Sequence, residues 1–145
     1  MPQSQSPKQA PNELAKQLHK LALEAQKNSY SPYSHKKVGA SLILGNGKTY
    51  SGANIENASY GATICAERTA IFKAISENPG AKIKEICVVT DAKPAWAPCG
   101  LCRQVLVEFT SPDALVHIAG TGSIEKTISM KELVPLAFSP EDLKN

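Results

Sequence analysis

Between two stretches of helical periodicity lies "IKEICVVTD", a β-branched run of the kind that suits a strand buried on both faces of a sheet. Such a strand needs helices above and below it, and the flanking pattern supplies them. "NELAKQLHKLALEAQKNS" puts Leu14, Leu18, Leu21, Ala22 and Ala25 on one face at helical spacing, with Asn12 placed to cap its start. Val38 to Leu44 and Lys48 to Ile55 read as two strands joined by "GNG", a hairpin turn. A second helix is expected from about Cys65 to Ser76, ended by "NPG". A third starts at Pro98 in "AWAPCGLCRQVLVEF", with Val105, Leu106 and Phe109 on its apolar side. "ALVHIAG" and "SIEKTIS" read as two late strands, and "MKELVPLAF" and the last few residues as short helical pieces. Strands separated by helices predict an α/β fold, a three-layer α/β/α arrangement with helices on both faces of a mixed five-stranded sheet.

With 145 residues, 42% of them hydrophobic, the chain fits one core, expected as one domain over residues 12–145. "MPQSQSPKQAP" is polar and lacks an apolar signal core, so residues 1–11 are expected to form a loose tail. No stretch approaches the roughly 18 apolar residues that suggest a membrane span. The net charge of +3, from 16 basic and 13 acidic residues, is too near balance to steer the chain onto a polyanion, so no nucleic-acid partner is expected. The cytoplasm is the default location. In that reducing compartment the 4 cysteines point to metal ligation or core packing before disulfides.

Cys99 and Cys102, in "PCGLC", fall on one face of a helix start. Alone, the pair is half a metal site or a redox dithiol. Cys65, in "TICAERTAIF", also sits at an expected helix N-terminus, where the helix dipole favours a thiolate. Two such helices aimed at one place would bring three thiolates together with no obvious fourth ligand. Cys87 alternates with apolar neighbours inside a strand and reads as a core residue. Three protein ligands leave zinc an open position, the mark of a catalytic site. His19, His35 and His117 lack ligand spacing to the cysteines and read as surface or core residues.

Glu67 does not share the helix face of Cys65, yet a first-turn carboxylate can lean over the open position as a proton shuttle. A glutamate there is also favourable through the helix dipole alone. Three thiolates outweigh the charge of one zinc ion, which opposes ionising a water there. The helix N-termini offset part of that excess. Arg68 either stands as a solvated helix residue or hydrogen-bonds a thiolate sulfur, and the charge excess favours the second role.

"CAE" with "PCGLCRQ" resembles the Cys/His-x-Glu and Pro-Cys-x-x-Cys signature of the zinc-dependent cytidine deaminases. Around it, "SPYS", "VGA", "GANIENASYG", "CAERTAI", "PCGLCRQVLVEF" and "LVPLAF" resemble the small, homotetrameric, all-cysteine branch, from about residue 12 to 143. The resemblance implies Zn²⁺ held by Cys65, Cys99 and Cys102, with Glu67 as general acid and base. It implies Asn54 and Glu56 on the ribose hydroxyls, the Ala66 amide on the pyrimidine carbonyl, and the Ala97 carbonyl receiving the departing amine. Tyr60 and Phe138 would approach a neighbouring subunit's pocket in a homotetramer. The implied reaction is hydrolytic deamination of cytidine and 2′-deoxycytidine to the uridines and ammonia, a step of pyrimidine salvage. The likeness breaks at Lys36, after "SPYSH", where the family usually carries an aromatic facing the pyrimidine ring. The lysine is expected to weaken pyrimidine binding by about 1 kcal/mol, the scale of one aromatic contact.

Other readings are a deaminase of blasticidin-type aminonucleosides, against which "NIEN" argues, and a polynucleotide-editing deaminase, against which the weak basic charge argues. A structural zinc module or redox dithiol would be non-enzymatic. The missing fourth ligand and Glu67 oppose the former, and Cys65 opposes the latter.

Overall fold

In the computed structural model, which describes residues 11–144, Asn12 caps the first helix, α1 (Glu13–Gln26), by accepting the Ala15 amide at 2.9 Å. The expected tail lies, apart from Pro11, outside the described residues. The chain continues through β1 (Val38–Leu44), β2 (Thr49–Ala53), α2 (Ala66–Glu77), β3 (Ile83–Thr90), α3 (Gly100–Phe109), β4 (Thr110–Ala119), β5 (Ile124–Ser129) and the short α4 (Met130–Leu133). The five strands form one sheet in the order β2-β1-β3-β4-β5. Only the β3/β4 pair is parallel, so the sheet is mixed, as expected.

β3 is the central strand, and of its residues only Lys84 is exposed. Its two faces meet different layers. Cys87 and Val89 pack with Leu18 and Ala22 of α1. Ile86 and Val88 face the other way, into the cluster formed by Ala70, Ile71 and Ala74 of α2, Leu106 of α3 and Met130 of α4. Each leucine buried to the extent of Leu18 or Leu106 stabilises the fold by about 1.5–3 kcal/mol. Two glycines let the helices come close. A Cβ on Gly39 would lie 2.0 Å from the Ala22 carbonyl oxygen of α1, and one on Gly52 would lie 2.7 Å from the Ala70 nitrogen of α2.

Because β2 and β3 both run antiparallel to β1, they point the same way. The helices that follow them, α2 and α3, therefore begin beyond the same end of the sheet. Crevices at the carboxyl ends of such strands are where α/β sheets place ligands.

Several boundaries differ from the sequence reading, among them the helical piece expected over residues 130–138, which is helical only over Met130–Leu133. β2 stops at Ala53 and not Ile55, because Asn54 turns its side chain to Lys36 and Val38, and Ile55 bridges instead to Tyr30 and Ile64. The third helix starts at Gly100 and not Pro98, because Cys99 is extended (φ −66°, ψ 167°) and Pro98 lies buried before it. β4 begins at Thr110, where it pairs with Ile83 ahead of the apolar run.

Candidate metal centre

Cys65 and Cys99 occupy equivalent positions. Each is the N-cap of its helix, α2 or α3, and neither side chain makes the usual capping bond to the first turn. Both are extended, which swings the sulfurs outward from the helix ends toward each other. Their Sγ atoms lie 3.8 Å apart. Cys102, one turn into α3 and buried, joins them, and the three Sγ atoms all lie within 4.8 Å of one another. Tetrahedral zinc with Zn–S bonds of about 2.3 Å holds its sulfurs about 3.8 Å apart, so the thiols fit that ion. Among the described residues no other group of His, Cys, Asp and Glu side chains gathers in this way. All 4 cysteines are free, so Cys99 and Cys102 are not a disulfide.

The electrostatics match a site meant for a cation. The Cys65 thiol is pulled down to about 5, first by its hydrogen bond with Cys102 and further by the Arg68 guanidinium and Cys99. Cys102 is driven the opposite way, by sharing a proton with the Cys65 sulfur and by burial. Arg68 donates from Nη2 to Cys65 Sγ at 3.3 Å, the contact expected from the sequence. Its buried Nε has no partner among the described residues. Glu67 is 4% exposed, and burial, with Cys65 adding to it, raises its pKa above the usual carboxylate value.

A second group of residues is tied to this one through the backbone. The Ile55 and Ile64 amides and carbonyls bond reciprocally at 3.0 Å, so "NIE" is fastened to the segment just before Cys65. Asn54 Oδ1 accepts from Ser29 Oγ and from the Val38 amide, while its Nδ2 donates to the Lys36 carbonyl. Glu56 accepts from the amides of Tyr33 and Ser34 and from the Ser34 hydroxyl, and these bonds, led by the hydroxyl, lower its pKa. Both side chains therefore organise the 29–38 segment, a role that spacing in the sequence did not reveal.

Ala66 is the first residue of α2, so its amide has no acceptor within the helix. Ala97 is exposed, two residues before Cys99. Tyr60 and Phe138 lie on the surface of the chain, 75% and 58% exposed. Tyr60 meets Tyr33 edge-on with ring centroids 5.7 Å apart, and the Phe138 carbonyl accepts from Gln104 of α3. Lys36 does not stand over an empty face: its Nζ lies 5.9 Å from the ring centroid of Trp96. Trp96 went unnoticed in the sequence, although it is the single tryptophan and directly precedes "APC". The histidines are not ligands. His117 is a buried partner of Glu85, His19 bonds the Gly120 carbonyl, and His35 is exposed in a loop.

A model of the cytidine and deoxycytidylate deaminase zinc-binding region matches residues 12–118. The chain is 45% identical over 128 residues to the cytidine deaminase of Halalkalibacterium halodurans, covering 88% of this chain and 96% of that protein. It is likewise 45% identical over 121 residues to the cytidine deaminase of Sporosarcina psychrophila, covering 83% and 88%. The crystal structure of cytidine deaminase from Burkholderia pseudomallei matches with a TM-score of 0.80 and 41% identity, over 85% of this chain and 98% of that one. With three thiols spaced for zinc and a buried glutamate beside them, the chain belongs to the cytidine deaminase family of zinc-dependent hydrolytic deaminases.

Proposed function

We propose that the chain hydrolyses cytidine and 2′-deoxycytidine to the corresponding uridines and ammonia, with Cys65, Cys99 and Cys102 holding the zinc. The observation that carries this reading is the buried Glu67 carboxyl set against three converging thiols. Zinc held by these three cysteines would supply a water acidic enough to act as a nucleophile near neutral pH. Glu67 would accept a proton from the attacking water and deliver it to N3 of the base as the water's oxygen bonds to C4. It then moves a second proton from the new hydroxyl to the amine, the C4–N bond breaks, and ammonia leaves. A carboxyl group whose pKa is raised by burial suits both halves of this shuttle, since it must hold the proton between them. Arg68 keeps a positive charge on Cys65 and so tempers the negative charge of the sulfur set.

Asn54 and Glu56 bind the ribose hydroxyls in this proposal, from the anchored 54–56 segment. The Ala66 amide holds the pyrimidine carbonyl, and the Ala97 carbonyl receives the departing amine. Residues 12–145 act as one domain in a homotetramer, where the exposed rings of Tyr60 and Phe138 reach a neighbouring site. Free thiols throughout fit a cytoplasmic setting, and among the described residues no helix is long and apolar enough to cross a membrane.

The test is metal analysis joined to ammonia release. Protein purified under reducing conditions should carry zinc and release ammonia from cytidine, and should lose that activity on chelation. Faster turnover of a blasticidin-like substrate or of a single-stranded oligonucleotide would replace the nucleoside assignment. Zinc without any deaminase activity would leave a structural module.

A further inference from the structure

Lys36 and Trp96 belong to two segments that lead to the site, one held by Asn54 and the other running into Cys99. Lys36 lies in the 29–38 segment that Asn54 and Glu56 organise, and Asn54 itself holds the Lys36 carbonyl at 2.8 Å. Trp96 lies in the loop that leads from β3 to Cys99, and its amide is fixed to Thr90 Oγ1 at 3.0 Å. The lysine reaches across, with Nζ 5.9 Å from the indole centroid, and no carboxylate pairs with it among the described residues. A cation within about 6 Å of an indole face is held by the ring's quadrupole, which fixes the ring's orientation as well as the lysine's. The indole remains 48% exposed, so about half of a large aromatic residue is open to a ligand. Of the other exposed rings of this region, Tyr33 and Tyr60 are packed edge-on against each other, and Tyr30 sits at the start of the segment, its backbone bridged to Ile55.

We propose that Trp96, oriented by Lys36, is the aromatic wall against which the pyrimidine ring of the substrate packs. This deepens the nucleoside reading and rests on it. A flat, polar heterocycle between an anchored ribose end and a metal end needs one apolar face to set its tilt, and offset stacking on an aromatic ring provides that. Trp96 serves the reading geometrically, because its backbone is fixed three residues before the Cys99 ligand. It also explains how a lysine can occupy position 36: the cation secures an aromatic supplied by the opposite loop. Trp96 is thus a specificity-determining contact and Lys36 a positioning residue.

Because the chain has a single tryptophan, its fluorescence reports this residue alone. Titrating the zinc-loaded protein with uridine should change the emission saturably, whether or not catalysis is being measured. In Trp96→Ala the KM for cytidine should rise about fivefold with kcat within about twofold and full zinc content, and Trp96→Phe should recover most of the affinity. Lys36→Met should shift the emission of the free protein and raise KM by about two- to fivefold. Emission unmoved by saturating uridine, or Trp96→Ala with an unchanged KM, overturns the proposal. So does a Trp96→Ala variant that loses kcat and zinc together, since that is the signature of a loop that only supports Cys99. Cytidine turnover by the unaltered protein, measured alongside, tests the nucleoside reading separately.

Discussion

One buried polar cluster lies on the α1 face of the sheet and a second, partly exposed one lies beyond the strand ends, and they are finished to different degrees. On the α1 face, His117 Nε2 lies 2.8 Å from Glu85 Oε1 and its Nδ1 lies 2.8 Å from Thr127 Oγ1, so both ring nitrogens are occupied. Nothing there waits for a ligand. Beyond the strand ends, where α2 and α3 begin, three sulfurs face one another and the Arg68 Nε is buried without a partner among the described residues. Glu67 is as buried as Glu85, 4% against 5% exposed. Burial of a carboxyl group therefore does not mark the active cluster. What marks it is incompleteness: polar groups held out of water whose full set of partners would include a cation and a substrate.

The largest effect that can test this contrast is on Glu67. Glu67→Gln keeps the size and most of the hydrogen bonding but cannot carry a proton, so kcat for cytidine should fall about 10²–10⁴-fold with zinc content unchanged. Steady-state kinetics with metal analysis reads both. A fully zinc-loaded variant with near-normal turnover would return Glu67 to the structural class of Glu85.

The converse change belongs on the α1 face. His117→Ala leaves Glu85 buried without its imidazole partner, and removing one partner of a buried hydrogen bond costs about 1–3 kcal/mol. Chemical denaturation should show that loss, while the kcat of the folded, zinc-loaded fraction stays within about twofold. A variant that keeps its stability but loses turnover would mean the two clusters are coupled.

These outcomes bear on what the sequence could show. The thiol cluster was legible because its pieces are local: a cysteine at each helix start and a Glu and Arg within the next turn. Only the direction of the two helices had to come from the sheet, and the β-branched run of β3 with its flanking helices already implied that. Glu85 and His117 were illegible because their meeting depends on the register of β3 against β4, set by pairings such as Cys87 with His117. The same holds for Lys36 and Trp96, which belong to segments joined by no regular pattern. Pro98 misled for a local reason. Proline favours the first turn of a helix in general, but here Cys99 must stay extended for its sulfur to face Cys65, so the helix waits until Gly100.

A smaller effect is expected at Arg68, which sharpens how much of the open cluster is charge balance. Arg68→Gln removes the donor to Cys65 Sγ, and loss of such a partner to a metal ligand typically costs about 10–100-fold in metal affinity or activity. A competitive chelator titration and the pH–rate profile should both move. If neither does, the two helix N-termini suffice to offset the thiolates and the guanidinium is merely packed there.

The finest contrast is between two cysteines. Burial pushes the Cys87 thiol up to about 12, whereas an unfolded thiol ionises near 8.5. The folded value is the higher one, so the unfolded chain loses its proton first as pH rises. Stability is unaffected by this group below about pH 8.5. Above it, the folded state should lose up to about 1.4 kcal/mol per pH unit until the folded thiol itself ionises. Comparing zinc-loaded protein with Cys87→Ala isolates the slope, because the cavity left by alanine adds an offset that does not vary with pH. Alkylation gives the same contrast from the opposite side. In the metal-free protein Cys65 should react at neutral pH and be protected when zinc is added, while Cys87 should react only on unfolding. Ready alkylation of Cys87 in the folded protein would mean that the α1 face opens, and that its polar cluster is less closed than its hydrogen bonds indicate.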